Sequence, residues 1–512
     1  MHFYRKFFNF FFFSERGQLL QLAVEKMNEI GVVVVNTVCD NCPVNIKMLE
    51  SLGAVLHGDD LNSSLKFKNV LGNPVQVMMD ASHLIKLTRN TLGDFQTLLN
   101  GDGEKIQWKH LVSLHKLQED EGLHAGNKLG KGHMEYYKNK MKVKFAAQTL
   151  SRSVSDALIF CSKDLNLLQF KGAEATAEFC FVFDLLFDLN NSKNCHQKFS
   201  KSPLNSYNQM DWEQQFRKSE QYILGLKHED GKLVIKGRRS AAFIGWLINI
   251  QSLRVIFDEL ITSNQLKFIL TYKLSQDPLE IFFSSIRSSL GFNNNPTCGQ
   301  FTSGFKKLLA GAANKTNSAN CLWDCDTSVL MLSADYKKTS VAVDKAYPPV
   351  DESDSEWIKL LVSVDQNSEY KDNVLTYISG YIQKRLIVNE NCHLCLMHLE
   401  NEKFLDTCKL IERKNRGGLT KANSNVIELM VSTKNVAEEK FLFQKLLIST
   451  METAKLEAFS EFAKNHRTKI VKKIAAIYFT MRLSHFCRII KKFETNSGIR
   501  HKNTKLILFK NE

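Results

Sequence analysis

Carboxylates that converge from a strand end and a helix can hold divalent cations, and hard oxygen ligands suit Mg2+ or Mn2+. Two positions here have that character. Asp40 follows the β-branched run 32–38, VVVVNTV, which predicts a strand covered on both faces. Open α/β sheets place ligand and catalytic groups at such strand ends. Glu280 lies one turn into a predicted helix. Asp277 reads as its N-cap, with Pro278 at the first helical position. Leu279, Phe282, Phe283, Ile286 and Leu290 share one face at helical spacing, which predicts a buried amphipathic helix with Glu280, Ser284 and Arg287 on its polar side. The same spacing also allows a capping box between Asp277 and Glu280, a purely structural role. Asp80, after a predicted strand at 75–79, is a rival metal ligand to Asp40, or a cap for the helix that follows.

Other groups could act too. His83, Lys86 and Asn90 can share one helical face, either as a functional surface or as solvated polar residues. Cys392 and Cys395 form a C-x-x-C pair, with His398 near and His485 and Cys487 distant, a set that could complete a structural zinc tetrahedron. Cys39 and Cys42 have the same spacing but read as buried thiols. The chain has no Walker A motif, and Gly130-Lys131-Gly132 reads as a loop.

The elements that must position these residues fall into two styles. Helices over 14–30, 44–52 and 82–92 alternate with the strands at 32–38 and 75–79, which predicts an α/β layer. Beyond about residue 105 the periodicity is helical, over 108–118, 141–168, 173–188, 213–226 and 241–261. This block separates the α/β units from the Glu280 helix and reads as an insertion. A polar stretch over 314–338 follows. Helices are expected again at 357–364, 374–386, 426–431, 441–464 and 470–493.

Of 512 residues, 44% are hydrophobic and 24% charged, enough for two to four domains. Seven prolines and 25 glycines favour a helix-rich architecture. The net charge is +14. Residues 464–510 carry 13 Lys/Arg against the single acid Glu494, so +12 of that surplus is local. Such an excess suits nucleic acid, or a solvated basic helix. Twelve irregularly spaced cysteines fit a reducing compartment. No apolar run is expected to span a membrane. The first thirteen residues hold seven Phe and read as foreign to the domain that follows, or disordered.

The run Gln276-Asp277-Pro278-Leu279-Glu280, with Phe282-Phe283, Ile286-Arg287, Asn295-Pro296-Thr297 and Gln300-Phe301, resembles the catalytic-helix segment of P element-type transposases, which include the animal THAP-domain transposases. Leu290-Gly291 departs from the paired glycines frequent there. VVVVNTVCDNCPVNIKMLESLGA resembles the family's second catalytic strand. The resemblance makes Asp40 the second catalytic Asp and Glu280 the final Glu, both Mg2+ or Mn2+ ligands, with Asp277 beside them as a catalytic candidate. Asp80 to Asn90 resembles the family's D-x-x-H-L-x-K-x-x-R-N helix, so His83, Lys86 and Arg89 are DNA-binding candidates. Arg287 and the basic C-terminal residues Lys472, Lys473, Lys491 and Lys492 join them. Asn127-Lys128-Leu129, Met141-Lys142-Val143, Ala147-Gln148, Ser151 and 187–192 resemble a guanine-nucleotide-binding insertion. That implies GTP near Lys128 and Ser151 with Asp188 on the base, where a carboxylate can accept two N–H bonds. Lys142, Val143 and Asn191 are weaker candidates. Tyr377 to Tyr381, YISGY, precedes the family's cysteines, here Cys392 and Cys395, and Gly417-Gly418-Leu419 extends the match.

The resemblance implies an α/β plus α fold. An incomplete RNase H-like domain (14–104 and 263–312) is interrupted by a mostly helical insertion (105–262). A linker (313–350) and a helical basic C-terminal domain (351–512) follow. The 39 residues before Asp40 contain no Asp, so the first catalytic carboxylate and the THAP zinc module are expected to be missing. The expected function is that of a transposase derivative in the nucleus, inactive alone in metal-dependent DNA cleavage and strand transfer but retaining DNA binding. Homo-oligomers are a further expectation, and no membrane association is expected. The alternatives are a non-catalytic guanine-nucleotide-binding or protein-interaction module, and a non-functional remnant.

Overall fold

A computed structural model describes residues 2–56, 65–69, 71–197, 199–313, 368–388, 408–424 and 426–427, with side chains from residue 15 to 310 and in the later segments. The predicted elements at 314–338, 357–364, 441–464 and 470–493 lie outside these residues, as do Cys392, Cys395, Lys472, Lys473, Lys491 and Lys492. The described structure is mostly helical, with two small sheets. It forms two compact units. The first comprises Met1–Trp108, Glu135–Arg152 and Glu178–Tyr347; the second comprises Lys109–Met134, Ser153–Ala177 and Pro348–Glu512.

In chain order the elements are α1 (His2–Glu29), β1 (Asn36–Cys39), α2 (Pro43–Ser51), β2 (Lys66–Lys68), β3 (Pro74–Met79), α3 (Ala81–Phe95), β4 (Thr97–Leu99), β5 (Lys105–Gln107), α4 (Trp108–Asp120), α5 (Lys131–Met134), α6 (Val143–Thr149), α7 (Arg152–Ile159), α8 (Glu174–Leu189), α9 (Gln209–Gly225), α10 (Ala241–Phe257), α11 (Asp277–Ser289), α12 (Cys298–Ala313), α13 (Glu369–Val388) and α14 (Lys409–Lys414). Helix α1 runs unbroken from His2 to Glu29 and takes in the Phe-rich start. Gly17 lets α1 approach α2: a Cβ there would lie 3.0 Å from Ser51 Oγ. The single long periodicity over 141–168 is divided between α6, α7 and a π-helical turn at Phe160–Asp164.

The main sheet of the first unit has the order β1-β3-β2. β1 and β3 are parallel, with Cys39 opposite Met79, and β2 is antiparallel to β3. The strand around 32–38 is shorter than its composition predicts, because its partner β3 begins at Pro74, which has no N–H to give. Val32 and Val33 are therefore exposed, and Cys39 is the one fully buried residue of β1.

Helix α10 covers this sheet and supplies the core through Phe243, Trp246, Ile250, Leu253 and Phe257. Burying that many large apolar side chains contributes about 2 kcal/mol each before chain entropy is counted. Its polar residues complete the sheet. Leu65, directly before β2, supplies the carbonyl that receives Val77 N–H at 2.9 Å. One step further along β3, the Asn249 side chain takes the place of a strand, bonding both Met79 N (2.7 Å) and Met79 O (2.8 Å). Ser252 Oγ donates to Val77 O at 2.6 Å. Against the expectation of no membrane-length apolar run, residues 241–262 are long and apolar enough to cross one, yet 67% of that window is buried inside the protein. Here it is a core helix.

The second unit is held by charge pairs as well as packing. Tyr370 O–H donates to Leu123 O at 3.0 Å, and Arg413 grips Asp164 with two bonds of 2.7 and 2.6 Å. Such bidentate pairs fix geometry more firmly than single contacts.

Candidate functional site

Because β1 and β3 are parallel and in register, their C-terminal ends lie side by side, and the residues one step beyond are Asp40 and Asp80. The carboxylate of Asp40 accepts from Asn45 Nδ2 on the following helix α2. Asp80 is 3% exposed and divides its two oxygens. Oδ2 accepts from His83 N at 2.8 Å and so caps α3, while Oδ1 accepts from Gln276 N at 3.2 Å, just before α11. Ser82 Oγ adds a 3.4 Å bond to Asp277 Oδ1. The strand ends and the start of α11 are thereby brought together.

The expected N-cap is displaced by one residue. Gln276 caps α11, no side chain bonds the cap, and Asp277 and Pro278 form the first turn. No Asp277–Glu280 capping box forms, which leaves both carboxylates to other partners. Nor is α11 buried. Ile286 alone is fully enclosed, whereas Leu279 is 51% and Phe283 39% exposed. Its apolar side meets α12 instead, through Phe282 with Phe305 and Phe283 with Phe301. Glu280 is exposed and Arg287 half-buried.

The charges of three of these acids act on His83. Burial lowers its pKa and Lys86 lowers it further, while Asp40, Asp80 and Glu280 each raise it. One imidazole therefore senses carboxylates from both strand ends and from α11. Burial also raises Asp80 above the ordinary carboxylate range, opposed by its bonds from Gln276 and His83 and reinforced by Asp277. The neighbouring Cys39 thiol is pushed up to about 12, first by burial and then by Asp40, Cys42 and Asp80. It behaves as an inert core thiol, as the sequence suggests.

The basic residues of α3 are not presented as a surface. Lys86 is 9% exposed, and Arg89 is fully enclosed. Arg89 Nε donates to Asn90 Oδ1 at 2.8 Å and Nη2 to Asn139 O at 3.0 Å. A guanidinium used in this way ties α3 to the segment before α6 and does not reach a polyanion. The reason is packing: α3 lies between α10 and α6, with Gly245 of α10 closed against Leu84.

Whether these residues can hold a divalent metal turns on their number. Asp40 and Glu280 offer hard oxygens, the right chemistry for Mg2+ or Mn2+. Among the described residues, however, no three His, Cys, Asp or Glu side chains are grouped closely enough to hold an ion. The donors fit in kind and fall short in number.

The nucleotide candidates divide between the units. Lys128 is an exposed residue of the second. Lys142, Val143, Ser151, Asp188 and Asn191 belong to the first. Lys142 and Val143 begin α6, and the Lys142 ammonium lies 5.3 Å from the Phe145 ring centroid. Ser151 directly precedes α7, and Asn191 N–H donates to Asp188 O at 3.1 Å. Asp188 accepts from Ser200 Oγ at 3.0 Å and lies 3.5 Å from Lys201 Nζ. Burial raises its pKa, offset mainly by Lys201 and Ser200. One turn earlier on α8, Asp184 was not singled out from the sequence. Burial, with help from Asp188, lifts it to about 7, against a hydrogen bond from Arg152 N at the start of α7. An acidic pair at i and i+4 in the apolar C-terminal half of α8 is the signal available for it.

Three family models match the chain. They are described as TNP-like, GTP-binding insertion domain, over residues 82–203; TNP-like, RNase H C-terminal domain, over 272–306; and DNA transposase THAP9, C-terminal domain, over 366–488. DNA transposase THAP9 of Homo sapiens is 29% identical over 297 residues, which cover 57% of this chain and 32% of that protein. Transposable element P transposase of Drosophila melanogaster is 25% identical over 436 residues, covering 82% of this chain and 53% of that protein. A solved structure, the Drosophila P element transposase strand transfer complex, superposes with a TM-score of 0.49 at 26% identity, over 56% of this chain and 62% of that one. The chain thus spans about a third to a half of the length of the two curated relatives. Its three domain matches and these two relatives make the chain similar to the P element and THAP9 type of transposases.

Proposed function

We propose that this chain is a DNA-binding transposase derivative built on an RNase H-like domain, with the ancestral strand-transfer carboxylates Asp40 and Glu280 retained but not sufficient alone for catalysis. The observation that supports this most is geometric: Asp40 and Asp80 stand at adjacent parallel strand ends, and Asp80 is bonded to Gln276 at the start of the Glu280 helix, some 240 residues after Asp40. Two-metal phosphoryl transfer needs carboxylates arranged in that way. The chemistry a metal would supply is stabilisation of the attacking and leaving oxygens. Among the described residues the ligand set does not complete such a site.

DNA is the proposed partner, the nucleus the proposed compartment, and a homo-oligomer the proposed assembly. The local excess of +12 over residues 464–510 would dominate binding. Phosphate contacts of that kind make affinity fall steeply with salt. The test is a cleavage and strand-transfer assay on transposon-end DNA with Mg2+ and Mn2+, run beside a binding titration at several salt concentrations. The expected result is salt-sensitive binding without cleavage. Metal-dependent cleavage by the 512-residue chain would overturn the proposed incompleteness, and the absence of DNA binding would overturn the rest.

A second activity is proposed for the insertion, guanine-nucleotide binding, on the match over residues 82–203 and the half-buried Asp188 carboxylate. Calorimetry of the full chain with GTP and ATP tests it. Binding of GTP but not ATP, lost in Asp188→Ala with the fold intact, is the expected outcome. Equal binding of both nucleotides, or none, counts against it.

A further inference from the structure

We infer that Asp80 is a positioning residue for the Glu280 helix: one buried carboxylate that fastens the start of α11 to the start of α3 at the strand ends. Asp80 is 3% exposed, and each of its oxygens receives an N–H from a different element, His83 N at 2.8 Å and Gln276 N at 3.2 Å. Its own N–H is fixed by Cys39 O at 2.9 Å, the last bond of the parallel pair that also sets Asp40. The carboxylate is thus referenced to both strands. Ser82 Oγ adds the 3.4 Å bond to Asp277 Oδ1, a second link between the same two helix starts.

Among the described residues, the segment before α11 is tied to the end of α8 through Thr271 and Tyr272. Among the same residues, the bonds joining the start of α11 to the strand ends are those of Asp80 and Ser82. Beyond its first turn, only Ile286 is fully buried, and the aromatic side packs on α12. The direction in which Glu280 points is therefore set at the Gln276 end. A buried carboxylate accepting two backbone N–H groups is a strong, directional anchor, and removing it strands both donors. An N-cap role alone accounts for the His83 bond. It does not account for the second oxygen, which reaches 196 residues along the chain.

This deepens the proposed role of Glu280 and rests on that reading for its consequence, although the fastening itself can be tested without it. Hydrogen exchange of the full-length protein, read by mass spectrometry, compares wild type with Asp80→Ala, Asp80→Asn and Ser82→Ala. In Asp80→Ala the amides of residues 280–289 are expected to exchange about tenfold faster, with α10 unchanged. Asp80→Asn, whose amide oxygen keeps one acceptor, should restore part of that protection. Ser82→Ala leaves the Asp80 cap intact and should still loosen α11 about twofold. If only the first turn of α3 loosens in Asp80→Ala and α11 keeps its wild-type rates, Asp80 is a cap and nothing more. Should Asp80→Ala fail to fold, unchanged α11 rates in both Asp80→Asn and Ser82→Ala overturn the inference. Loss of the proposed strand-transfer reading would leave these exchange rates untouched, so the two failures are separable.

Discussion

Asn249 closes on both backbone polar groups of Met79, accepting from its N–H at 2.7 Å and donating to its carbonyl at 2.8 Å. A side-chain amide from a helix thus does the work of the strand that β2 is too short to supply. Asn249→Leu keeps the volume and leaves two buried backbone groups without partners. A loss of ~2–4 kcal/mol is expected, measured as a lower urea midpoint with an unchanged m-value. Because Met79 precedes Asp80, the same variant should also speed amide exchange at the α3 start.

Glu280 and His83 are coupled through space, which can be read by titrating the imidazole. Glu280 raises the His83 pKa against burial, so Glu280→Gln should lower it further. Two-dimensional NMR of the His83 ring across pH 4–8 measures this; an unmoved midpoint would mean that α11 lies elsewhere in solution. The stability sign follows from linkage. His83 titrates below its unfolded value near 6.5, so the unfolded chain binds the extra proton first. The contribution is full above about pH 6.5 and is lost as pH falls through that value toward the folded one.

Asp184 should show the opposite pH dependence. Its folded pKa of about 7 lies above its ordinary 3.8, so the native state holds the proton longer. Stability from this group is full below the unfolded value and declines as pH rises from about 4 through 7. Asp184→Asn keeps an oxygen for Arg152 N–H and removes the buried charge. Its melting temperature should exceed wild type at pH 8 by roughly 2–4 °C, the shift expected from about 1 kcal/mol, and match wild type at pH 4.5 or below.

Arg89 is expected to matter for folding and not for DNA. Its three hydrogen bonds to Asn90, Asn139 and Lys140 run through a fully buried guanidinium. Arg89→Leu should cost ~2–4 kcal/mol in denaturant unfolding. Arg89→Lys should recover little, because a point charge cannot span the same acceptors. The slope of log affinity against log salt for DNA should stay as in wild type. A slope reduced by about one unit would show instead that Arg89 reaches a phosphate.

The sequence was most legible where local chemistry and tertiary structure agree. Asp80 caps α3 as its position before a periodic run suggests, and α2 ends close to Gly53 as predicted. Legibility failed where a distant partner decides. The Asp277-x-x-Glu280 spacing permits a capping box, but the helix cap falls one residue earlier, at Gln276, whose N–H bonds to the distant Asp80. The basic face of α3 looks solvated in isolation and is covered by α10, a helix from the far side of the insertion. The amphipathic pattern of α11 was real, yet its apolar side meets α12 and remains half-open.

The Asn249 bracket also sets an order of events at the ribosome. The two residues it joins are 170 apart in the chain. At ordinary synthesis speeds, α10 emerges roughly 10–30 s after β3. Through that interval the nascent strand pair carries an open flank with unmet amides, an edge on which misplaced pairing can occur until α10 arrives.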